Sequence, residues 1–284
     1  MIKSYRVKKS ISNTIIYTLL TILGAIWVFP LFWLLMQSFR GDPGTYVAYV
    51  IPREFTLDNF ISLFSERVVF NYPRWFVNTL VVAIFSCIIS TLSVLMVSYT
   101  FSRLRFKSRK FFINTGMILG MFPGFMTMIA IYYLLKLFNL TGTLPALVIC
   151  YSAGAALGYF ISKGFFDTIP RALDEAATID GATRNQIFWK IILPMSKPII
   201  VYTVLTSFIG PWADFILVRI IMGDKVDNYT VAYGLYRMSD EKNIMMYYFQ
   251  FCAGAVVVAI PITALFLYMQ KYYVEGVTGG AVKG

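Results

Sequence analysis

The stretch FFDTIPRALDEAATIDGATRNQIFWKIILPMSK, residues 165–197, decides how this chain is read. It is a polar, patterned interruption in a very apolar sequence, and far longer than the usual connection of about 4–6 residues. Its pattern is helical. Thr168-Ile169-Pro170 predicts a helix start, with Pro170 suited to the first helical position. Leu173, Ala176 and Ala177 fall at i, i+3 and i+4, so they share one face, and its small side chains admit close approach by another surface. Asp174 and Glu175 lie in the first turns, where the helix dipole favours acids. Asp180-Gly181 predicts the stop, glycine supplying the left-handed residue. Thr183 with Gln186 resembles a capping box opening a second helix, Ile187, Phe188, Ile191 and Ile192 form its apolar stripe, and Pro194 ends it. Two readings stay open on these grounds: an amphipathic hairpin resting on lipid, or an element that docks on another protein.

Outward from this stretch, charge almost disappears. Residues 10–39, 75–102, 111–135, 137–162 and 243–270 hold no Asp, Glu, Lys or Arg, and 198–218 holds only Asp214. The chain of 284 residues is 58% hydrophobic and 14% charged, with a mean hydropathy of +0.68. A soluble fold could not cover so much apolar surface. A helix crosses the hydrocarbon core with about 20 apolar residues, and every silent stretch is long enough. Barrel strands would alternate apolar and polar, and these do not. The expected architecture is an all-α membrane protein, one domain over residues 1–284. Its six transmembrane helices lie at about 12–38, 75–101, 111–135, 144–164, 198–220 and 246–269. The first stretch reads as a retained helix, because its apolar run exceeds a signal-peptide core and no small-residue cleavage pattern follows.

Orientation follows the Lys and Arg bias. The N-terminal tail holds Lys3, Arg6, Lys8 and Lys9; the loop after helix 2 holds Arg103, Arg105, Lys107, Arg109 and Lys110. The loop 165–197 with its flanks and the C-terminal tail bring this side to sixteen of the 25 basic residues. Both termini and the loop 165–197 are therefore expected in the cytoplasm, with loops 40–74 and 220–244 outside. The formal charge of +11 is topology rather than a nucleic-acid footprint. Histidine is absent, which excludes His-based triads and metal sites. Cys87, Cys150 and Cys252 lie in apolar spans at no metal-motif spacing and read as packing residues.

Within the spans, Asp214 follows Pro211 and Trp212, which suggests an irregular helix beside an aromatic. An acid at the bilayer centre costs about 2.5–3.5 kcal/mol and usually faces a cavity or a partner. Trp212 and Asp214 are thus candidates for a translocation path, against pairing of Asp214 with Arg219 or a place near the outer interface. Gly116, Gly120 and Gly124, and Gly154 with Gly158, have the G-x-x-x-G spacing of close helix packing. Pro30, Pro123, Pro145, Pro211 and Pro261 permit kinks.

Glu175-Ala176-Ala177, three residues, Gly181, nine residues, Ile191, one residue, Leu193-Pro194 resembles in full the EAA loop of ABC-importer permease subunits. Asp167 to Pro170, Leu173 with Asp174, and Ile179 to Ala182 are similar to the carbohydrate-importing branch. So are Phe76-Val77-Asn78-Thr79-Leu80, Arg103-Leu104-Arg105-Phe106, and Tyr229-Thr230-Val231-Ala232-Tyr233-Gly234-Leu235. The last residues, Val274 to Gly284, resemble those of the smaller maltose/maltodextrin permease. This resemblance implies a type I importer fold and a maltodextrin or other oligosaccharide as substrate. It implies as partners a second homologous permease, an ATPase dimer that holds ATP and Mg, and an extracytoplasmic sugar-binding protein, in a bacterial or archaeal cytoplasmic membrane. It further implies that Asp174, Glu175, Ala176, Ala177, Asp180, Gly181, Ile191, Leu193 and Pro194 couple the membrane helices to the ATPase. Loop 220–242 would reach toward the binding protein, and the C-terminal tail would lie along the ATPase interface. Where that family often has Asn between the Trp and the acid of helix 5, this chain has Ala213.

The chain carries no G-x-x-x-x-G-K-[ST] phosphate loop, so no ATPase activity or cofactor of its own is expected. A permease for another sugar-type solute is the first alternative. A self-contained secondary transporter would show inverted repeats and coupling-ion residues, which the sequence lacks. A plain membrane anchor leaves the loop spacing unexplained.

Overall fold

The computed structural model describes residues 2–42, 49–67, 69–154 and 156–281, with side chains from 11 to 272 apart from 43–48, 68 and 155–157. Residues 43–48 and the side chains of Val274 to Gly284 therefore lie outside the described residues. What is described is helical, with an isolated antiparallel bridge between Arg40 and Phe55 and no strand among the described residues.

The helices run in order as α1 (Ile2–Ser38), α2 (Asp58–Ser65), α3 (Tyr72–Arg103), α4 (Arg109–Gly120) and α5 (Gly124–Leu137). Then come α6 (Leu144–Ala153), α7 (Ala156–Thr168), α8 (Ala172–Ile179), α9 (Arg184–Gln186), a π-helical turn (Ile187–Ile192) and α10 (Leu193–Met195). The chain closes with α11 (Lys197–Ala213), α12 (Ile216–Met222), α13 (Val231–Met238) and α14 (Ile244–Ala281). Ile11–Ser38, α3 and Ile244–Tyr272 are each continuous and apolar enough to cross a bilayer. The other crossings are broken: α4 and α5 meet at 106° around Pro123, and α6 and α7 at 42° near Gly154. The fifth expected span is α11 followed, after a break at Asp214-Phe215, by α12.

The chain forms two compact units, Met1–Phe70 with Arg237–Val257, and Asn71–Tyr236 with Val258–Gly284. In the first unit none of the apolar window of α1 is buried, and Trp27 is 80% exposed. Such a surface suits hydrocarbon, not water. The loop after α1 is organised by Arg40, whose guanidinium pairs with Asp42 at 2.9 Å and donates to Gln37 Oε1 and the carbonyls of Tyr49 and Val50. Burial opposes ionisation of Asp42, but hydrogen bonds from the backbone N–H groups of Arg53 and Glu54, a bond with Tyr49, and the Arg40 charge hold its carboxyl below the usual range.

In the second unit α3 is the central helix, against α6, α7 and α11. One face of α3 is lined with buried small polar residues, Thr79, Ser86, Ser90, Ser98 and Ser102. Their short side chains allow neighbouring helices close and return hydrogen bonds to backbone, as Ser86 does to the Val82 carbonyl and Ser98 to that of Tyr159. The three cysteines are buried free thiols.

The glycine spacings serve breaks as well as helix packing. Gly120 ends α4 and Gly124 begins α5, and neither has a neighbour within 4 Å of a built Cβ, whereas at Gly116 such an atom would meet Phe160 at 3.4 Å. Gly154 caps the end of α6, donating to the Cys150 carbonyl. The sequence places these residues at breaks, where glycine and proline relieve the helix.

Candidate functional site

The loop 165–197 folds as a helix, a left-handed turn and a second helix. α8 begins at Ala172, two positions after the expected start at Pro170. The shift has a physical cause. α7 continues through Thr168, whose Oγ1 donates to the Phe165 carbonyl at 2.7 Å. Ile169 is then buried, and its carbonyl is taken by Arg103 at 2.8 Å. Pro170 is left to offer its carbonyl to Leu173 N–H at 3.3 Å.

α8 ends in a full Schellman closure. Ala182 N–H donates to the Ala177 carbonyl at 2.9 Å and Gly181 N–H to that of Thr178 at 3.1 Å. Gly181 has φ +85°, so the left-handed residue required by the sequence is present. Thr183 and Gln186 then form the reciprocal capping box. The following turn widens to a π-helix over Ile187–Ile192. Pro194 explains it: proline brings no N–H and its ring crowds the carbonyl four residues back, so the ladder shifts rather than breaks. The helix continues past Pro194 to Met195 and bends at Ser196 by 83° into α11.

The two faces of this loop are divided between the chain and its surroundings. Ala177, Ile187, Phe188 and Ile192 are buried in one core with Leu95 and Tyr99 of α3 and Phe166 of α7; Leu173, Ile191 and Leu193 are packed partly against it. The apolar stripe thus rests on the protein's own core and not on lipid. Ala172, Glu175, Ala176 and Asp180 are exposed, and Ile179 is 86% exposed. Ala177 belongs to the inner face and Ala176 to the outer, so the small-residue face of the sequence serves both sides.

Charge ties the loop to α3. Arg103 pairs with Asp174 at 3.2 Å, with side-chain exposures of 4% and 21%. Ser102 donates to Asp167, which also pairs with Lys163 at 2.6 Å. The Tyr99 ring packs at a tilt against Phe188, with centroids 4.8 Å apart. Arg103 Nε and Asp174 Oδ1 have no partner among the described residues, and both residues line an open groove of about 350 Å³ with Arg171, Glu175 and Arg184. The sequence reading counted Arg103 only as a topological charge. Its place in the Arg103-Leu104-Arg105-Phe106 motif was the available signal.

The opposite end of α3 joins two motifs that the sequence showed separately. Trp75 Nε1 donates to the Val226 carbonyl, and Asn78 Nδ2 donates to those of Asp227 and Tyr229, at 2.8–3.0 Å. Thr79 Oγ1 accepts from Val231 N–H at 2.8 Å. Gly234 lies so close to Trp75 that a Cβ would sit 2.0 Å from its ring. The Phe76-to-Leu80 motif and the Tyr229-to-Leu235 motif are each other's partners.

At the α11–α12 break, Asp214 Oδ1 accepts from the N–H groups of Ile216 and Leu217 at 3.0 and 3.1 Å, and Oδ2 accepts from Tyr151 at 3.3 Å. The acid therefore caps α12, and no ion pair with Arg219 occurs among the described residues. Trp212 is buried, with its ring against Phe76 and Phe208.

Continuous and broken apolar spans, with a helix–turn–helix loop fastened to one of them, are the parts of a membrane permease subunit. The chain belongs to the family described as binding-protein-dependent transport system inner membrane component, which it matches over residues 89–278. It is 33% identical, over the whole of both chains, to the galactooligosaccharides transport system permease protein GanQ of Bacillus subtilis (strain 168). It is 32% identical, again over the whole of both chains, to the maltodextrin transport system permease protein MalD of Streptococcus pneumoniae (strain ATCC BAA-255 / R6). Its fold is similar to a chain of a bacterial ABC transporter that imports the acidic polysaccharide alginate, with a TM-score of 0.78, 18% identity, and 93% of this chain and 96% of that chain covered. The expected type I importer permease fold is thereby established.

Proposed function

We propose that this chain is one permease subunit of an ATP-driven importer for maltodextrin or a related oligosaccharide, and that α8 couples its helices to a separate ATPase dimer. The observation that carries the reading is the division of α8. Its inner face is packed on α3 and α7 and held by Arg103, while Ala172, Glu175, Ala176 and Ile179 face outward. An isoleucine 86% exposed on a folded polar loop is a contact waiting for a protein surface. Closure of the ATPase dimer would push α8, and α3 would carry that motion as a rigid body toward the opposite membrane face.

Asp174, Glu175, Ala176, Ala177, Asp180 and Gly181 form the coupling element itself; Ile191, Leu193 and Pro194 fix its exit into α11. Trp212 and Asp214 shape the path by setting the α11–α12 break. Loop 220–242 faces the extracytoplasmic binding protein, and a second, homologous permease completes the pore. Both termini lie in the cytoplasm of a bacterial or archaeal cell. The names of the relatives, which specify galactooligosaccharides and maltodextrin, support the substrate class.

The test is reconstitution of the chain with its partner permease, ATPase and binding protein in proteoliposomes. Uptake of labelled maltotriose should require ATP and the binding protein. Uptake that continues without ATP would favour a secondary transporter, and uptake of a different sugar alone would shift the substrate within the class.

A further inference from the structure

Beside the broken pair α6–α7 the second unit has an open cavity of about 270 Å³. Ser90 of α3, Tyr151 of α6, and Tyr202, Thr206 and Ser207 of α11 line it. Gly154 and Gly158 leave its wall without side chains. Ser90 lies midway along α3 and Thr206 midway along α11, so the cavity falls near the middle of the spans. Polar groups at that depth are costly unless they meet a partner or enclosed water.

Ser207 donates to Ser90 Oγ at 3.1 Å, Thr206 Oγ1 donates to the Tyr202 carbonyl at 2.9 Å, and Tyr151 donates to Asp214 at 3.3 Å. These three hydroxyls place their protons within the chain, whereas those of Ser90 and Tyr202 meet no acceptor among the described residues. Such a wall both accepts and donates hydrogen bonds, as ring hydroxyls do. Among the described residues no Asp, Glu, Lys or Arg lines it, and two tyrosines, Tyr151 and Tyr202, contribute to its wall. Hydroxyls on a flat ring with C–H faces fit this chemistry. The volume lies just below the 300–1,000 Å³ or so of small-molecule sites, which leaves room for one ring and not for a chain.

We propose that this cavity is a saccharide station belonging to this subunit, taking one neutral pyranose ring of the substrate at a time as it passes. The inference deepens the importer reading and rests on it. Two substitutions at one position test it in the reconstituted importer. Ser207→Phe fills the cavity and should lower maltotriose uptake at least tenfold in complexes that assemble by size exclusion. Ser207→Cys should react with a small methanethiosulfonate reagent above the background of the unsubstituted complex, and 10 mM maltotriose should slow that reaction several-fold. Uptake within twofold of the parent for Ser207→Phe, or labelling of Ser207→Cys that is absent or indifferent to maltotriose, would overturn the station. The two readings fail separately. Uptake by the parent without protection of Ser207→Cys removes the station alone, and protection in a parent complex that imports no saccharide removes the importer reading alone.

Discussion

The two ends of α3 are fastened by different means. At the Tyr72 end the buried bonds are neutral: an indole, a carboxamide and a hydroxyl meet backbone groups of residues 226–231, with Trp75 and Thr79 fully or nearly fully buried, and the Arg74–Asp227 ion pair is confined to the exposed edge. At the Arg103 end they are ionic and partly open, and the Arg103–Asp174 pair stands at the rim of a groove. Neutral bonds to buried backbone have one satisfactory arrangement, because breaking any of them strands a carbonyl away from water. The ion pair is buried on its Arg103 side and open at Asp174, so a charge arriving in the groove can meet it, while loss of either partner without replacement is costly. The first end is built as a fixed joint. The second borders an open groove, as the proposed coupling to an ATPase would require.

The sharpest way to break that contrast is at the fixed joint. Gly234→Val places a side chain where even a Cβ lies 2.0 Å from the Trp75 ring, so helix and loop must separate. Overpacking of this kind costs about 1–3 kcal/mol and more when backbone blocks the way. The expected result is loss of monodisperse complex, or a melting temperature lower by about 5–10 °C, read in nanodiscs. The pair Trp75→Ala with Gly234→Ala should recover part of the loss relative to Gly234→Ala alone, since the obstructing ring is gone. An unchanged melting temperature in Gly234→Val would show that the joint is not rigid.

The ionic end should behave otherwise. Arg103→Gln is expected to leave assembly intact and to lower sugar transported per ATP by about tenfold, because α8 then moves without α3. The swap Arg103→Asp with Asp174→Arg should restore part of that ratio, and a double-mutant cycle isolates the pair. A melting loss as large as that of Gly234→Val would erase the distinction between the two ends. Gly181→Val ranks next. Its φ of +85° costs a non-glycine residue about 1–2 kcal/mol, yet no atom lies within 4 Å of a built Cβ. The strain is local to the turn, so uptake should fall a few-fold with a melting temperature lowered by only a few degrees. Normal uptake would mean that the turn has no mechanical role.

The sequence made much of this legible, and the gaps have a common cause. Charge-free runs exposed the spans because hydrocarbon tolerates no alternative, and Gly181 with the Thr183–Gln186 pair exposed the loop because turn and cap chemistry are local. What stayed hidden was pairing across the chain. Asn78 and Tyr229 are 151 residues apart, and neither motif states its partner. Arg103 looked like one more inward-facing charge until Asp174 stood 3.2 Å from it. The G-x-x-x-G spacings were ambiguous for a related reason: the same spacing serves packing, as at Gly116, and breaks, as at Gly120 and Gly124, and only neighbours within reach of a Cβ tell them apart.

The α11–α12 break offers a third region to set between the two ends, and the smallest expected effect. Asp214 carries a charge like the ionic end but uses it like the neutral one, accepting from two backbone N–H groups and a tyrosine. Asparagine caps a helix about as well as aspartate, so Asp214→Asn keeps the acceptor that Ile216 and Leu217 need. Uptake within about twofold of the parent is expected, with no change in melting temperature. Asp214→Ala removes the acceptor and should cost about 1 kcal/mol of stability, as cap deletions do. If the carboxylate instead served the substrate directly through its charge, Asp214→Asn would lower uptake as far as Asp214→Ala while leaving the melting temperature alone. The order of these two variants therefore decides whether the break is a joint of the first kind or a working surface of the second.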